Sequence, residues 1–335
     1  VFCILFAHPM LQALHTKSDL IDAAVLYLKI YALGMPAMAV YNFGNGVLSA
    51  KGDTKSPLIY LAVAGVLNII LNLIFVIGFH LAAAGVAIAS AIAQYVSMLL
   101  VMRNLLKRRD VCRLQISKIQ FHHDVAKGIL LMGIPTGMQN AIFALANLFV
   151  QRGVNYFYTI MVSGNAAATN ADAIIFNVMS AFYTGCASFV SQNRGAGKKE
   201  RVRASFFCGL KLEFLYAIFI TAVCFFFAEP IIRLFAADPA VVDLGVRFLR
   251  TISLFYLMPA ATNGIQGFFR GMGDLKVTLN SSMLNMGFRV AAAAVLVLVL
   301  KVDLQIMPVS YGIGWLSMLV YELPLLIRYM KEDKL

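Results

Sequence analysis

The stretch NFGNGVLSAKGDTKSP, residues 42–57, returns in altered form as GFFRGMGDLK, residues 267–276. A shift of 221 residues lays Gly52-Asp53-Thr54-Lys55 on Gly273-Asp274-Leu275-Lys276 without a gap. The same shift lays Leu5-Phe6-Ala7-His8-Pro9 on Phe226-Phe227-Ala228-Glu229-Pro230, and Asn42, Asn45, Gly46 and Ser49 on Asn263, Gln266, Gly267 and Arg270. Side chains at i, i+3 and i+7 share a helix face, so both copies read as a helix with a polar stripe that runs into a short basic turn. Similarity at a fixed shift is the mark of an internal repeat.

Between the two copies the chain is almost continuously apolar. Of 335 residues, 61% are hydrophobic and 13% charged, against about 25% charged in soluble domains. Runs long enough to cross about 30 Å of hydrocarbon occur near 22–48, 58–79, 82–102, 125–150, 166–190, 205–227, 241–269, 278–300 and 308–328, after a remnant at 1–15. Apolarity is uniform within each run rather than alternating, which specifies helices and not barrel strands. The expected fold is an all-α, polytopic membrane helix bundle with nine full spans and a stub. Soluble enzymes, nucleic-acid readers and secreted disulfide scaffolds are excluded, and the bilayer itself is the first partner. Cys3, Cys112, Cys186, Cys208 and Cys224 are scattered singly, with no metal or disulfide spacing.

The net charge of +12 is a topology signal. Nineteen Lys and Arg fall in the loops around 49–57, 103–127, 191–204 and 270–277 and in the tail from 328, whereas the opposite loops hold only Lys17, Arg152, Arg233 and Lys301. That bias places the basic loops in the cytoplasm and the chain in the cell membrane. Six spans separate the two G-D-x-K turns, so both turns lie on one side and the halves are parallel repeats about an axis along the membrane normal. The second repeat begins near Phe121; the first, by the same shift, would begin roughly 100 residues before Val1, enough for two more spans and the rest of the stub. Residues 1–102 are then the end of a first six-helix bundle, 103–124 a basic connector and 125–335 a second six-helix bundle.

Three stretches resemble the multidrug and toxic compound extrusion (MATE) transporters: residues 42–57 with their partner at 267–276, LMGIPTGMQ at 131–139, and SQNRGAGKKERVRA at 191–204. The resemblance covers the whole chain. It implies a monomeric secondary antiporter without a cofactor, exporting amphipathic or cationic small molecules in exchange for H⁺ or Na⁺ by alternating access of two bundles. In this mapping the family's first two helices and most of its third precede Val1, and with them the first-helix Asp used by members like DinF. Asn263 occupies the place of the tenth-helix acid of NorM-like members, and the span 125–150 has no acid. A lipid-linked saccharide flippase on the same architecture is the alternative. A membrane-embedded enzyme is a remote one, since no H-E-x-x-H or G-x-S-x-G occurs and G-A-G-K-K at 195–199 lacks the earlier glycine of a P-loop.

Asp172 is the leading candidate for substrate contact. Phe176, Met179 and Tyr183 follow it at i+4, i+7 and i+11, and a carboxylate above aromatic rings can hold a lipophilic cation. On span 125–150, Thr136, Asn140, Phe143, Asn147 and Gln151 fall near one face, while Asn68 and Asn72 form an i, i+4 pair on another span. Gln139, Asn42, Asn45, Asn263 and Gln266 complete the substrate- or ion-binding candidates. Glu213, beside Lys211, reads as an interfacial charge and Glu322 as facing the bundle interior; Arg289 lies mid-span and requires a partner or water.

Single cysteines at positions 54 and 275 should both react with an impermeant thiol reagent from one side of the membrane, the cytoplasmic one. Labelling from opposite sides would overturn the parallel repeat.

Overall fold

The computed structural model describes residues 2–13, 21–154, 159–300 and 307–331, in two compact units, Val1–Phe121 and His122–Leu335. Every regular element among the described residues is helical, as a backbone with no water to bond must be. The first unit contains α1 (Phe2–Leu5), α2 (Ala7–Ala13), α3 (Ile21–Ala50), α4 (Lys55–Asn72) continuing as a π turn over Leu73–Gly78, and α5 (Ala82–Lys107). The second contains α6 (His123–Val154), α7 (Thr159–Gly195), α8 (Lys199–Phe226), α9 (Ala228–Arg233), α10 (Pro239–Ser253), α11 (Leu257–Gly271), α12 (Leu275–Ala294) with a π turn over Val295–Val299, and α13 (Pro308–Lys331).

Seven helices among the described residues, α3 to α8 and α13, are long and apolar enough to cross a membrane. The run 278–300 corresponds to α12 and its π turn, whose inward face carries Thr278, Ser281, Ser282, Asn285 and Arg289. The run 241–269 is not the single helix that its apolarity suggested. It breaks at residues 254–256 into α10 and α11. Pro259 is the physical reason: it has no N–H for the carbonyl of Phe255, and its ring crowds that carbonyl. Tighter bonds close the gap, from Phe255 N to the Ile252 carbonyl at 3.0 Å and from Met258 N to the Phe255 carbonyl at 2.8 Å.

The 221-residue repeat is visible in backbone geometry. Helices break at Phe6 and at Phe227, and the following Ala7 and Ala228 are both fully buried. The π turns at 73–78 and 295–299 coincide under the shift. The two G-D-x-K turns share their hydrogen bonds: Gly52 N donates to the Ser49 carbonyl and Asp53 N to that of Leu48, while Gly273 N donates to Arg270 and Asp274 N to Phe269, all within 2.9–3.0 Å. Gly52 and Gly273 hold φ of +82° and +74°, the left-handed position that ends a helix in a Schellman motif. In the first turn the Asp53 carboxylate accepts from Ser56 N at 3.1 Å and from Arg108 Nη2 at 2.9 Å. The Ser56 N–H foremost, then its hydroxyl and Arg108, hold this carboxyl below its ordinary range against the opposing effect of partial desolvation.

Packing differs between the units. In the first, α3 buries Gly34, Ala37, Tyr41, Gly44 and Leu48, a heptad seam laid against Ala91, Val101 and Leu105 of α5. In the second, α11 is the central element, with Ala260, Thr262, Ile265, Gln266, Phe268 and Phe269 all buried. It approaches α7 through Gly267 and Gly271: a Cβ at either would lie 2.8 Å from a carbonyl oxygen of α7, that of Tyr183 or Ala187. Small residues at such a spacing permit close backbone approach in membranes. Outward-facing Leu58, Ile69, Leu215, Phe219 and Val320 are largely exposed, the surface that acyl chains cover.

Gly52→Ala and Gly273→Ala should each cost about 1–2 kcal/mol, the strain of a Cβ in the left-handed region. Gly65→Ala, mid-helix in open space, should be neutral or raise stability by helix propensity. Thermal unfolding in detergent checks the contrast; equal melting of all three would refute it.

Candidate functional site

A cavity of about 350 Å³ lies within the second unit. One wall is α7, where Asn165, Thr169, Asp172 and Phe176 recur at steps of four, three and four residues and therefore share a face. Asn285 and Arg289 of α12 and Tyr311 and Trp315 of α13, each an i, i+4 pair, supply further walls, and Phe143 and Asn147 of α6 also line it.

Asp172 is fixed by the break between α10 and α11. Tyr256, 1% exposed, sits in that break and donates its hydroxyl to Asp172 Oδ1 at 2.8 Å. The broken segment is itself satisfied by α8, where Thr221 Oγ1 donates to the Ser253 carbonyl at 3.0 Å. Arg289 is 8% exposed, and its guanidinium carbon lies 3.5 Å from the centre of the Tyr311 ring. Its charge acts electrostatically on Asp172, yet no ion pair or hydrogen bond joins it to another described residue, and its Nε has no partner. The partner that the sequence left unnamed is thus an aromatic face, with a carboxylate nearby in the same cavity.

A second polar cluster surrounds α11. Glu322 of α13, fully buried, accepts from Gln266 Nε2 at 3.1 Å and from Ser281 Oγ, and its Oε2 is unpartnered. Glu213 is also fully buried, with neither oxygen hydrogen-bonded; Asn263 is its polar neighbour, whose Nδ2 likewise closes no bond. The expectation of an interfacial Glu213 is therefore corrected. It lies two positions after Lys211, about 200° around a helix, so Lys211 is exposed while Glu213 points into the core.

Of the sequence candidates, Asp172, Phe176, Phe143 and Asn147 share the cavity. Tyr183 does not: eleven residues place it about 16 Å farther along the helix, where its hydroxyl accepts from Arg270 Nη1 at 2.7 Å. Gln139 donates to Ser282 Oγ at 2.6 Å, and Asn140 is exposed. Asn263 and Gln266 belong to the α11 cluster. In the first unit Asn42 is exposed, Asn45 accepts from Ser49 at 3.0 Å, and Asn68 bonds Asn72 at 3.1 Å and Ser90 at 3.4 Å. Lys17, Lys301 and Lys334 lie outside the described residues, as do the side chains of Gln151 and Arg152. Sequence reasoning missed Asn165, Thr169, Asn285, Tyr256, Tyr311 and Trp315. The heptad Asn165-Thr169-Asp172-Phe176 was a readable signal; the Tyr256 contact, 84 residues from Asp172, had none.

The MatE family model matches residues 1–74 and 135–295. A protein of Bacillus subtilis (strain 168) named probable multidrug resistance protein YpnP is 29% identical over 266 residues, covering 79% of this chain and 59% of its own length. Probable multidrug resistance protein NorM of Thermotoga maritima is 24% identical over 295 residues, with coverages of 82% and 62%. The chain therefore spans about three fifths of the length of these curated relatives. A solved outward-facing multidrug resistance MATE family transporter of the MOP superfamily superposes with a TM-score of 0.90 at 19% identity, over 98% of this chain and 74% of its own.

Tyr256→Phe keeps the packed ring and removes only the hydroxyl, so it should lower stability by about 1.5–3 kcal/mol, the range for hydrogen bonds to charged groups. Adding Asp172→Asn to it should cost less than Asp172→Asn costs alone. Additive losses in chemical unfolding would show that the two side chains do not act as a pair.

Proposed function

Because the chain belongs to the MatE family, whose model matches in both of its units, we propose that the protein is a secondary antiporter that exports amphipathic, cationic small molecules. Membership makes it part of a transporter rather than an enzyme. In this reading H⁺ or Na⁺ exchanges for substrate, and the coupling ion drives alternating access only through its different affinity for the two states. Residues 1–102 are the C-terminal part of the first bundle and 125–335 the second, joined by the basic connector 103–124, and the transporter works as a monomer in the plasma membrane with its basic loops in the cytoplasm. The names of the bacterial relatives favour drug export over the flippase alternative.

Asp172 carries the reading. It is the one acidic side chain of α7, oriented by Tyr256 and facing a cavity bordered by Phe143, Phe176 and Trp315. Charge and ring faces together attract an organic cation, and more strongly where water is excluded. Small-molecule transport by a member of this family is supported by the matched family model; the cationic preference rests on this side chain.

Asp172→Asn preserves volume and removes the charge. In the full-length protein at equal expression, it should reduce efflux of ethidium about tenfold, the equivalent of 1.4 kcal/mol, while a neutral compound such as chloramphenicol changes little. Equal loss for both would assign Asp172 to folding or ion coupling instead, and unchanged transport of both would assign it to structure alone.

A further inference from the structure

Arg289 is the side chain in the second unit that the cation reading leaves unused. It is a buried guanidinium that lines the cavity, with an unpartnered Nε and no hydrogen bond to any described residue. A guanidinium offers five N–H donors in a planar fork, and leaving them unmade in a membrane interior is expensive. The Tyr311 ring attracts the positive charge but accepts none of those protons in the plane of the fork. Asp172 lines the same cavity, yet the two do not close an ion pair, and the Asp172 carboxylate is engaged by Tyr256. A cation and an anion therefore face one small chamber across a gap.

The repeat sharpens the contrast. Under the 221-residue shift Arg289 matches Asn68, which satisfies its amide with Asn72 and Ser90. The first copy closes this position internally with a neutral side chain. The second places a cation there, with Nε unpartnered and no hydrogen bond to a described residue.

We propose that this cavity is a carboxylate-recognition site, in which Arg289 takes the carboxylate of a zwitterionic ligand whose cationic end lies on Asp172. The inference rests on reading the cavity as a substrate site. Bidentate pairing of guanidinium with carboxylate supplies geometry as well as charge, and Asn285 beside it on α12 and Asn165 and Thr169 on α7 give the ligand a polar surround. A chamber of about 350 Å³ is at the small end for ligand pockets, so the occupant is a compact molecule with both charges close together. The substrate range then extends from simple cations to zwitterions, with Arg289 deciding the difference.

A matched dye pair isolates the carboxylate: rhodamine 110 is a zwitterion with a free carboxylate, and rhodamine 123 is its methyl ester, a cation. Binding is read by fluorescence anisotropy on the full-length protein in detergent. Wild type should bind rhodamine 110 about tenfold more tightly than rhodamine 123, as hydrogen bonds to a charged group imply. Arg289→Gln should bring that ratio to about one by weakening rhodamine 110 alone, and Arg289→Lys should fall between, because an ammonium lacks the fork. A wild-type ratio near one overturns the carboxylate site, whether or not the Gln variant folds, and would mean that water satisfies the guanidinium. Equal loss of both dyes in a Gln variant that melts like wild type also overturns it. Asp172→Asn separates the two readings: if it weakens rhodamine 123 while wild type shows no preference for rhodamine 110, only the carboxylate site falls. If neither variant moves either dye, the substrate reading of the cavity falls as well.

Discussion

Every polar group that enters hydrocarbon must find its partner within the protein, and this requirement orders the rest of the molecule. For the backbone it is met by helices, and where a helix fails the substitute bond can be named. Between α10 and α11 the chain turns with i→i−3 bonds, and the Ser253 carbonyl takes the Thr221 hydroxyl from α8. At the end of α11 the Met272 carbonyl takes Nη1 of Arg194 from α7. For side chains the requirement is met unevenly. Glu322 is held by Gln266 and Ser281 on one oxygen, whereas Glu213 and Arg289 enter the interior with donors or acceptors unmade. Those exceptions are where binding or proton exchange has something to act on.

Asp53 illustrates the same requirement at the membrane edge, with a defined pH consequence. Its carboxyl is held below the ordinary range chiefly by the Ser56 N–H. A carboxylate stabilised in the folded state contributes fully above the unfolded-state value, and the contribution fades as pH falls through the lowered folded value. Acidification below the usual Asp range should therefore loosen this turn, freeing Arg108 from one of its two carboxylate partners.

Most of the spans, the repeat and the polar turns were legible because they depend on patterns local in sequence: run length, a fixed shift and the Gly-Asp pair; the run 241–269, broken into α10 and α11, was not. The π turns and the breaks at Phe6 and Phe227 fall at positions that the shift relates, but their geometry came from the structure. Long-range contacts were not. That Tyr256 meets Asp172, or that Tyr311 faces Arg289, depends on which helices neighbour one another and how each is rotated, and a nearly all-apolar helix gives few polar positions from which to read rotation. The Asp172–Tyr183 stripe failed for a different reason: helical periodicity places residues on a face but says nothing of how far along that face a cavity extends. Glu213 was misplaced because sequence adjacency to Lys211 outweighed the 200° between them.

The two copies share a backbone plan and differ in what they hang on it. Under the shift, the break at residues 254–256 falls on residues 33–35, where α3 runs on without interruption. Met35 stands where the second copy has Tyr256, so the first has no hydroxyl at that position. Asn68 stands where the second has Arg289, and it is satisfied by neutral neighbours. Turn, break and π geometry demand particular backbone bonds, which many apolar sequences supply equally well. Buried charges have less freedom, because leaving one without a counter-group or hydrogen bonds is costly. Duplicated bundles can thus keep one skeleton while a single helix break and a few polar substitutions give one of them a chamber with opposed charges.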